Sequence, residues 1–298
     1  GAAAGARTGA AHAAGGGRSA ARGGVPDRRD RAALARTAHG GAAGKLHAVV
    51  AGWLLGPPSG ANRRLLRQVE HAARQLEPSE RITVLHGPSV APPPDDGVRW
   101  QPLAIPAGPA IVRARSEVRL LPTWLRDLGA TVYDHGFLPL PRVAVPTCLL
   151  VHDTRAADGL TRWPRWVARA VLRRSLRRAD VLVVPSECTA RRLQELLPGS
   201  RPATVVPNGV EPLASTPPPP PRALPANGYL LHVGHLEARK NLAVVVRALA
   251  ALAPERRPEL WLVGREAGTG AGLARLPFVH WFGSLDDGAL PSLYHHAR

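Results

Sequence analysis

Residues 233–241 read Val-Gly-His-Leu-Glu-Ala-Arg-Lys-Asn, and they lie between a short apolar stretch, Tyr229–Val233, and the apolar run Leu242–Leu252. This order predicts a strand that ends at a glycine, a basic loop and then a helix. Open α/β sheets bind anionic ligands at the carboxyl ends of their strands, beside helix N termini. We therefore expect a sheet of this kind with Lys240, one of only two lysines among 39 basic residues, at its ligand edge. For this loop alone, a solvated charge at a helix start is an equally good explanation.

The composition is typical of a globular protein. The 298 residues can hold two domains, and no apolar run approaches the roughly 20 residues that a membrane-spanning helix needs. A net charge of +17 would ordinarily suggest a nucleic acid or an anionic membrane as partner. The charge rests on arginine in a chain rich in alanine, glycine and proline, a pattern that GC-rich codons produce. The few aromatic residues do not alternate with basic ones as in a base-stacking surface. We expect no nucleic-acid partner, and nucleic-acid binding is kept only as an alternative.

The two cysteines, Cys148 and Cys188, fall in a predicted strand and a predicted helix, without metal-ligand spacing. They are expected to be reduced, buried thiols of a cytoplasmic protein, although a disulfide between them stays open.

Hydrophobic patterning divides the chain into four segments. Residues 1–44 are mainly alanine, glycine and arginine and are predicted to be a disordered tail. Residues 45–210 alternate strand and helix patterns. Residues 211–227 include five consecutive prolines and are interpreted as a linker, and residues 228–298 begin a second alternating series. Strands that alternate with helices on both sides of a linker predict two parallel-sheet domains.

Within the first domain, the patterns predict several elements that bear on a site. A turn at residues 56–60 precedes a helix over Arg63–Leu76, a proline-rich connection fills Pro88–Pro109, and a second helix covers Glu117–Leu128. A basic helix follows over Trp166–Ala179. Ser186 is expected to cap a helix over Glu187–Leu197.

Five short motifs occur in the order in which a known family carries them. They are Ser-Gly-Ala-Asn-Arg-Arg at 59–64, Val-His-Asp-Thr at 151–154, Arg-Ala-Asp-Val to Pro-Ser-Glu over 178–187, Val-Pro-Asn-Gly-Val at 206–210, and the stretch at 233–241. As an ordered set they resemble the retaining glycosyltransferases of family 4 (the group 1 type), and most of all bacterial mannosyltransferase-like members that build surface polysaccharides or glycolipids. The resemblance runs from about residue 45 to residue 298. It implies an α/β fold of two Rossmann-like domains (GT-B), with an acceptor-side domain over 45–210 and an incomplete nucleotide-sugar-binding domain over 228–298.

The resemblance implies transfer of a hexose, with mannose as the first expectation, from a nucleotide-diphosphate sugar to a glycan or lipid-linked acceptor with retention. Such a transfer needs fixed positive charge against the departing diphosphate. The family's phosphate-binding lysine falls on Lys240, with Arg239 beside it. Gly60, Ala61 and Gly234 lack side-chain bulk where backbone must approach the diphosphate. The alternative for Lys240 and Arg239 is that they are solvated surface charges. The alternative for Gly60 and Ala61 is a plain strand-to-helix turn.

His152 and Asp153 follow an apolar strand at its carboxyl end. In the family a histidine at this place contacts the donor sugar near its anomeric carbon. The resemblance thus implies that His152 holds a sugar hydroxyl and that Asp153 orients the loop or the acceptor. A strand-end capping pair is the alternative. Neither a metal ion nor a cofactor other than the donor substrate is expected.

The family's pair of glutamates, which bind the donor ribose and sugar, has no counterpart before Arg298. We accordingly expect a C-terminally truncated fragment with little or no transferase activity. A non-catalytic relative that binds a nucleotide or a partner is the alternative. The arginines over 166–179 have two possible explanations: a peripheral contact with the inner face of the cell membrane, or a plain solvated helix face.

Overall fold

The computed structural model describes residues 45–53, 55, 60–88, 90–92, 97–106, 108–159, 164–210, 217–268, 270–286 and 288–298. The chain divides into two compact units between Gly209 and Val210. The predicted disordered tail lies outside the described residues, as does the first part of the predicted linker.

The first unit is built on a parallel sheet of seven strands in the order β3-β2-β1-β4-β5-β6-β7. The strands are β1 (His47–Gly52), β2 (Arg81–His86), β3 (Arg99–Pro102), β4 (Val132–His135), β5 (Thr147–Leu150), β6 (Val181–Val184) and β7 (Thr204–Val205). The helices described between them are α1 (Gly60–Ala73), α2 (Ala110–Asp127), α3 (Arg165–Arg178) and α4 (Glu187–Leu196).

Helices cover both faces of this sheet. Successive strand residues point to opposite sides, so each strand contributes side chains to the core on both faces. Val50 of β1 packs in one core cluster with Val69 of α1, whereas its neighbours Val49 and Ala51 pack in another with Leu121 of α2. Helices α3 and α4 share a third cluster with β5 and β6. Burial on both faces explains why these strands appear in the sequence as continuous apolar runs.

Helix α2 begins at Ala110, seven residues before the predicted start at Glu117. The buried side chains of this helix are Arg113, Glu117, Leu121 and Leu125, spaced four residues apart, while Ile111 and Val112 are exposed. Two charged residues on the buried stripe hide the apolar period on which the prediction relied. The helix also continues through Pro122.

Two other predictions in this unit were wrong. The connection predicted over Pro88–Pro109 contains strand β3, which pairs with β2. Gly60, the last residue of the turn predicted at 56–60, begins α1 together with Ala61, ahead of the helix start predicted at Arg63; residues 56–59 lie outside the described part of the chain. The predicted cap of α4 is confirmed, since the Thr189 N–H donates to Ser186 Oγ at 3.2 Å.

Both cysteines are free thiols, and only one of them is shielded. Cys148 is partly buried in β5, but Cys188 is exposed in the first turn of α4. The expectation of two buried thiols was wrong for Cys188, because the buried side of this helix is formed by Leu193.

The second unit is smaller. Strands β8 (Tyr229–Val233), β10 (Glu259–Val263) and β12 (Val279–Trp281) form a parallel sheet in the order β12-β10-β8, and β9 (Leu236–Glu237) pairs with β11 (Glu266–Ala267). The helices described are α5 (Leu242–Ala250), α6 (Gly270–Leu273) and α7 (Leu290–His296), with 3-10 turns at Ala238–Lys240 and Pro254–Arg256. Tyr229 and Trp261 stack with ring centroids 3.8 Å apart beneath α7.

Candidate functional site

A small crevice lies at the carboxyl edge of the seven-stranded sheet. It is found where the strand order reverses between β1 and β4, which is the usual ligand position in open α/β sheets. Its volume is about 20 Å³. The lining consists of Ala61, Asn62, Leu65 and Gln68 from α1, Asp134, Gly136 and Phe137 at the end of β4, and Leu150 and His152 at the end of β5. Two predicted site residues, Ala61 and His152, thus meet at one place.

The His152 imidazole faces the backbone of Gly136. Its Nε2 lies 3.9 Å from the position that a Cβ at Gly136 would occupy, so a side chain there would contact the ring. Burial lowers the pKa of His152 from its ordinary value of 6.5, and the nearby Arg64 guanidinium lowers it further, against the opposing effect of Asp153. The imidazole is therefore neutral at neutral pH. A neutral ring donates one hydrogen bond and accepts another, which suits contact with a hydroxyl group.

Asp153 is adjacent in sequence but plays a different part. Its carboxylate accepts a hydrogen bond from the Arg155 backbone N–H at 3.0 Å and pairs with Arg155 Nε at 2.8 Å. These contacts close a turn directly after His152. Asp153 is not among the residues that line the crevice, and its role in orienting the loop or the acceptor stays a prediction.

Two contacts of α1 connect the crevice to other motifs. Arg64 donates hydrogen bonds to Asn208 Oδ1 and, at 3.2 Å, to the Val206 carbonyl oxygen, which joins the motif at 59–64 to the motif at 206–210. One turn later, Gln68 Nε2 donates to Asp134 Oδ2 at 3.3 Å. Burial raises the pKa of Asp134 to about 6, against the effect of Arg64. The sequence analysis identified neither Gln68 nor Asp134.

The motif at 178–187 makes its contacts near the amino end of β5, away from the crevice at the carboxyl edge. Asp180 Oδ2 accepts the Thr147 N–H at 2.8 Å and so fixes the start of β5. Arg178 Nη1 donates to the Leu140 carbonyl oxygen at 2.7 Å, in the segment that follows β4. These contacts give the motif a structural role.

A buried ion pair supports the two segments that flank the point of strand reversal. Glu117 is fully buried; it accepts a hydrogen bond from Trp53 Nε1 at 3.0 Å, and its Oε1 lies 3.2 Å from Arg113 Nε. Arg113 Nη2 in turn donates to the Leu138 carbonyl oxygen at 2.6 Å. Burial raises the pKa of Glu117 to about 7, opposed by the charge of Arg113 and by the hydrogen bond from Trp53. Helix α2 is thereby tied to the residues after β1 and after β4.

In the second unit, two glycines bring the ends of neighbouring strands together. Gly234 follows β8 and Gly264 follows β10, with φ angles of 144° and 140°. A Cβ at Gly264 would lie 1.9 Å from the Gly234 carbonyl oxygen, so no side chain fits there. This direct contact of two backbones is a second reason, besides the approach of a ligand, for the glycine predicted at 234.

The two predicted cations of the loop after Gly234 have unequal surroundings. Both are exposed and lie in the 3-10 turn before α5. Glu237 carries an ion pair with Arg239 that engages both of its carboxylate oxygens. Lys240, by contrast, has no carboxylate partner in the part of the chain that the structure describes. Its charge contributes, after burial, to lowering the pKa of His232 in β8.

A cation that the sequence analysis did not identify lies beside this loop. Arg265 directly follows Gly264, and its Nη2 is 3.4 Å from His235 Nε2. Its guanidinium thus lies beside His235, at the end of the neighbouring strand. The paired glycines were the signal that could have indicated this neighbour.

Among the described residues, no group of three or more histidine, cysteine, aspartate or glutamate side chains is arranged to hold a metal ion. No helix in that part of the chain has the length and apolar character to span a bilayer.

Comparison with known proteins gives a match over the first unit and a likeness of fold over most of the chain. Residues 59–209, just over half of the chain, match the family described as glycosyl transferase 4-like domain. Among solved structures, the fold is similar to WaaG, a glycosyltransferase involved in lipopolysaccharide biosynthesis (TM-score 0.56, 16% identity, 84% of this chain and 73% of that chain). It is also similar to a glycosyltransferase from Rickettsia africae ESF-5 (TM-score 0.56, 12% identity, 85% and 71%). A third similar structure is S. aureus MnaA in a co-structure with UDP (TM-score 0.51, 11% identity, 85% and 72%).

At these identities the structural likeness bears on the fold alone, and it confirms the predicted Rossmann-like α/β fold of GT-B type. Among curated protein sequences, none matches the chain closely enough to count as a relative.

Proposed function

The chain belongs to the glycosyl transferase 4-like family, and from that premise we propose that it transfers a hexose from a nucleotide-diphosphate sugar to a glycan or lipid-linked acceptor. Mannose is the first sugar to test, and the product keeps the anomeric configuration of the donor. The reaction would serve to build a surface polysaccharide or glycolipid in the cytoplasm. No metal ion or further cofactor enters this proposal.

In the proposed reaction, the bond between the anomeric carbon and the diphosphate oxygen breaks, and its electron pair leaves with the diphosphate. The acceptor hydroxyl oxygen forms the new bond from the same face of the sugar, and its proton passes to the departing diphosphate oxygen. The protein must stabilise negative charge on the leaving group and hold the sugar in place.

The crevice at the point of strand reversal is the observation that carries the proposal. It brings the neutral imidazole of His152 next to the glycine backbone at 136 and the first turn of α1, at the edge where sheets of this class hold their ligands. A neutral imidazole suits the proposed contact with a sugar hydroxyl. Asp153 would act indirectly, through the turn that it closes with Arg155.

In this proposal, Lys240 binds the diphosphate group of the donor. Its ammonium group is exposed and lacks a carboxylate partner among the described residues, so binding a phosphate would not require an existing ion pair to break. Arg239 is the weaker candidate because Glu237 already neutralises it. The backbones at Gly60, Ala61 and Gly234 are the remaining candidates for close approach to phosphate.

The acceptor side of the proposal rests on the first unit. A lipid-linked acceptor would bring the protein to the inner face of the cell membrane, and the arginine-rich helix α3 is where peripheral contact with anionic headgroups is proposed. The proposal includes no nucleic-acid partner.

The two lysines of the chain provide a matched test of donor binding. Binding of GDP and of UDP is measured by titration calorimetry for the wild type, Lys240→Ala and Lys45→Ala. Lys240→Ala loses one charge-assisted phosphate contact and is therefore expected to bind the preferred nucleotide roughly tenfold more weakly. Lys45→Ala, which removes an equally exposed ammonium group before β1, is expected to bind as the wild type does.

A second measurement separates binding from transfer. Release of nucleoside diphosphate from GDP-mannose and from UDP-glucose is followed with and without an oligosaccharide acceptor. His152→Ala is expected to retain nucleotide binding while losing whatever acceptor-dependent release the wild type shows. A wild type that binds nucleotide without any release favours the alternative of a non-catalytic nucleotide-binding relative. The proposal is overturned if no nucleoside diphosphate binds the wild type, or if both lysine variants lose the same affinity.

A further inference from the structure

A larger groove lies on the first unit and shares no lining residue with the crevice at the point of strand reversal. It runs between the segment 141–147 and helix α3, with the end of α4 closing one side, and its volume is about 1100 Å³. This is just above the range for small-ligand sites, roughly 300–1,000 Å³. The groove has room for an extended ligand.

The groove carries a concentrated positive charge. Its lining contains six arginines and a single acidic residue, Asp180. The carboxylate of Asp180 is already engaged by the Thr147 backbone N–H at 2.8 Å. The arginines are Arg142, Arg169, Arg173, Arg174, Arg177 and Arg178.

Several surface arginines elsewhere on this unit have carboxylate partners. In α1, Glu70 pairs with both Arg67 and Arg74, and next to α4 the Asp158 carboxylate pairs with Arg192. Helix α3, in contrast, contains six arginines and no acidic residue. The guanidinium groups of four groove arginines have neither a hydrogen bond nor an ion pair in the described part of the chain. These arginines are Arg142, Arg173, Arg174 and Arg177.

The guanidinium groups of the groove repel one another. The pKa of Arg178 is lowered first by burial, and then by the charges of Arg174 and Arg142. The C terminus of α3 offsets this repulsion in part, because it favours cations in the last helical turn. That effect fades within one turn and leaves the charge of Arg173 uncompensated. A bound anion would relieve the repulsion along the whole groove.

One end of the groove carries an exposed aromatic side chain. Trp166 in the first turn of α3 is 75% exposed. Helix α3 begins after the loop from the carboxyl end of β5 and ends just before β6, so Trp166 lies toward the ligand edge and Arg178 toward the opposite edge. The 14 residues of the helix span about 21 Å. An indole face can pack against the C–H face of a sugar ring, and guanidinium groups bind phosphate in a bidentate manner.

We propose that this groove binds a phosphate-bearing glycan, with a sugar ring against Trp166 and phosphate groups against the arginines of α3. The inference rests on the proposed function, to which it adds the chemical class of the acceptor. The concave shape favours a glycan chain over a flat bilayer as the ligand of these arginines, so in this inference the glycan takes the place of the headgroup contact considered for α3. The combination of sugar-stacking and phosphate-binding side chains favours a phosphorylated carbohydrate over a simple inorganic anion.

The test compares two double variants that remove equal charge. Arg173→Ala/Arg174→Ala removes two exposed groove arginines, and Arg115→Ala/Arg119→Ala removes two exposed arginines of α2 outside the groove. Binding of a pentamannoside carrying a terminal phosphate, and of the same pentamannoside without phosphate, is measured by titration calorimetry. GDP and UDP binding is measured on the same samples.

The phosphorylated pentamannoside is expected to bind the wild type and the α2 variant alike, and the groove variant at least roughly tenfold more weakly, as for lost charge-assisted contacts. Trp166→Ala is expected to weaken binding as well, and Trp166→Phe to restore part of it. Equal loss in both double variants, or equal affinity for both pentamannosides, overturns the inference. So does an absence of glycan binding together with retention on vesicles of phosphatidylcholine and phosphatidylglycerol, or on a DNA duplex. Normal nucleotide binding in any of these cases leaves the proposed function in place.

Discussion

Replacing the buried Glu117 by glutamine should change how the stability of the first unit depends on pH. The carboxyl group is fully buried, and burial raises its pKa from an ordinary 4.5 to about 7 despite the adjacent Arg113. For a carboxyl group, a folded pKa above the unfolded one means that folding favours the neutral form. The stabilising contribution is complete below pH 4.5 and is lost as the pH rises through 7.

The size of this effect follows from the difference between the two pKa values. Between 4.5 and about 7, at about 1.4 kcal/mol for each pKa unit, the loss amounts to about 3 kcal/mol. Glutamine resembles the neutral carboxyl group and can still accept the hydrogen bond from Trp53. Glu117→Gln should therefore match the wild type below pH 4.5 and exceed its free energy of unfolding by about 3 kcal/mol well above pH 7.

Urea unfolding across this pH interval provides the assay. The indole N–H signal of Trp53 in NMR spectra reports on the first unit alone, and the free energy of unfolding is obtained by linear extrapolation. Glu70→Gln on the exposed side of α1 is the matched control. The pKa of Glu70 is lowered, chiefly by the hydrogen bond from Arg67, so the contribution of Glu70 favours folding above its unfolded pKa and has the opposite sign.

A free-energy difference between wild type and Glu117→Gln that stays constant from pH 4.5 to well above pH 7 would refute this reasoning. A variant that is less stable than the wild type at every pH would also refute it. In that case the attraction between Arg113 and ionised Glu117 would exceed the cost of burying the charge of Glu117.

Three further predictions concern other elements. Gly264→Ala should lower the free energy of unfolding of the second unit by about 2–4 kcal/mol, because its Cβ would lie 1.9 Å from a backbone oxygen at a φ of 140°; Gly272→Ala, with open space around it, should change it by no more than about 1 kcal/mol. Thermal unfolding of both variants decides this, and similar effects would contradict it. Ser186→Ala should destabilise the first unit by about 1 kcal/mol through loss of the cap of α4, as measured by urea unfolding. His152 should titrate below 6.5 in NMR spectra, and Arg64→Gln should raise its pKa, since a positive charge nearby disfavours the imidazolium; a pKa at or above 6.5 in the wild type would show that the ring is not shielded.

The strands were the most predictable part of the fold. Tyr229–Val233 has the predicted bounds, because a strand covered on both faces is largely apolar. Strand β3 was missed since it is a short, half-exposed edge strand that ends in a proline. The start of α2 was missed because an ion pair occupies two positions of its buried stripe.

The candidate site was predictable only where chain order alone brings residues to the ligand edge. His152 follows β5 and lies in the crevice for that reason, whereas Lys240, in the loop after β8, stays a predicted phosphate ligand. Contacts that depend on the packing of distant segments left no local signal, as for Arg64 with Asn208 or Arg265 with His235. Arg239 shows a contact that chain order does not reveal, because this basic residue of the expected loop pairs with a glutamate two positions before it. Its role at the donor diphosphate stays a prediction.

The unequal surroundings of the two cysteines have a practical consequence. Burial and the neighbouring Asp134 raise the pKa of the Cys148 thiol, which keeps it unreactive, whereas Cys188 is exposed on α4. A maleimide dye or a spin label should therefore attach to a single position of the natural sequence. The unmodified chain thus offers a reporter in the same unit as the arginine-lined groove, and ligand binding could be followed optically without introducing a cysteine.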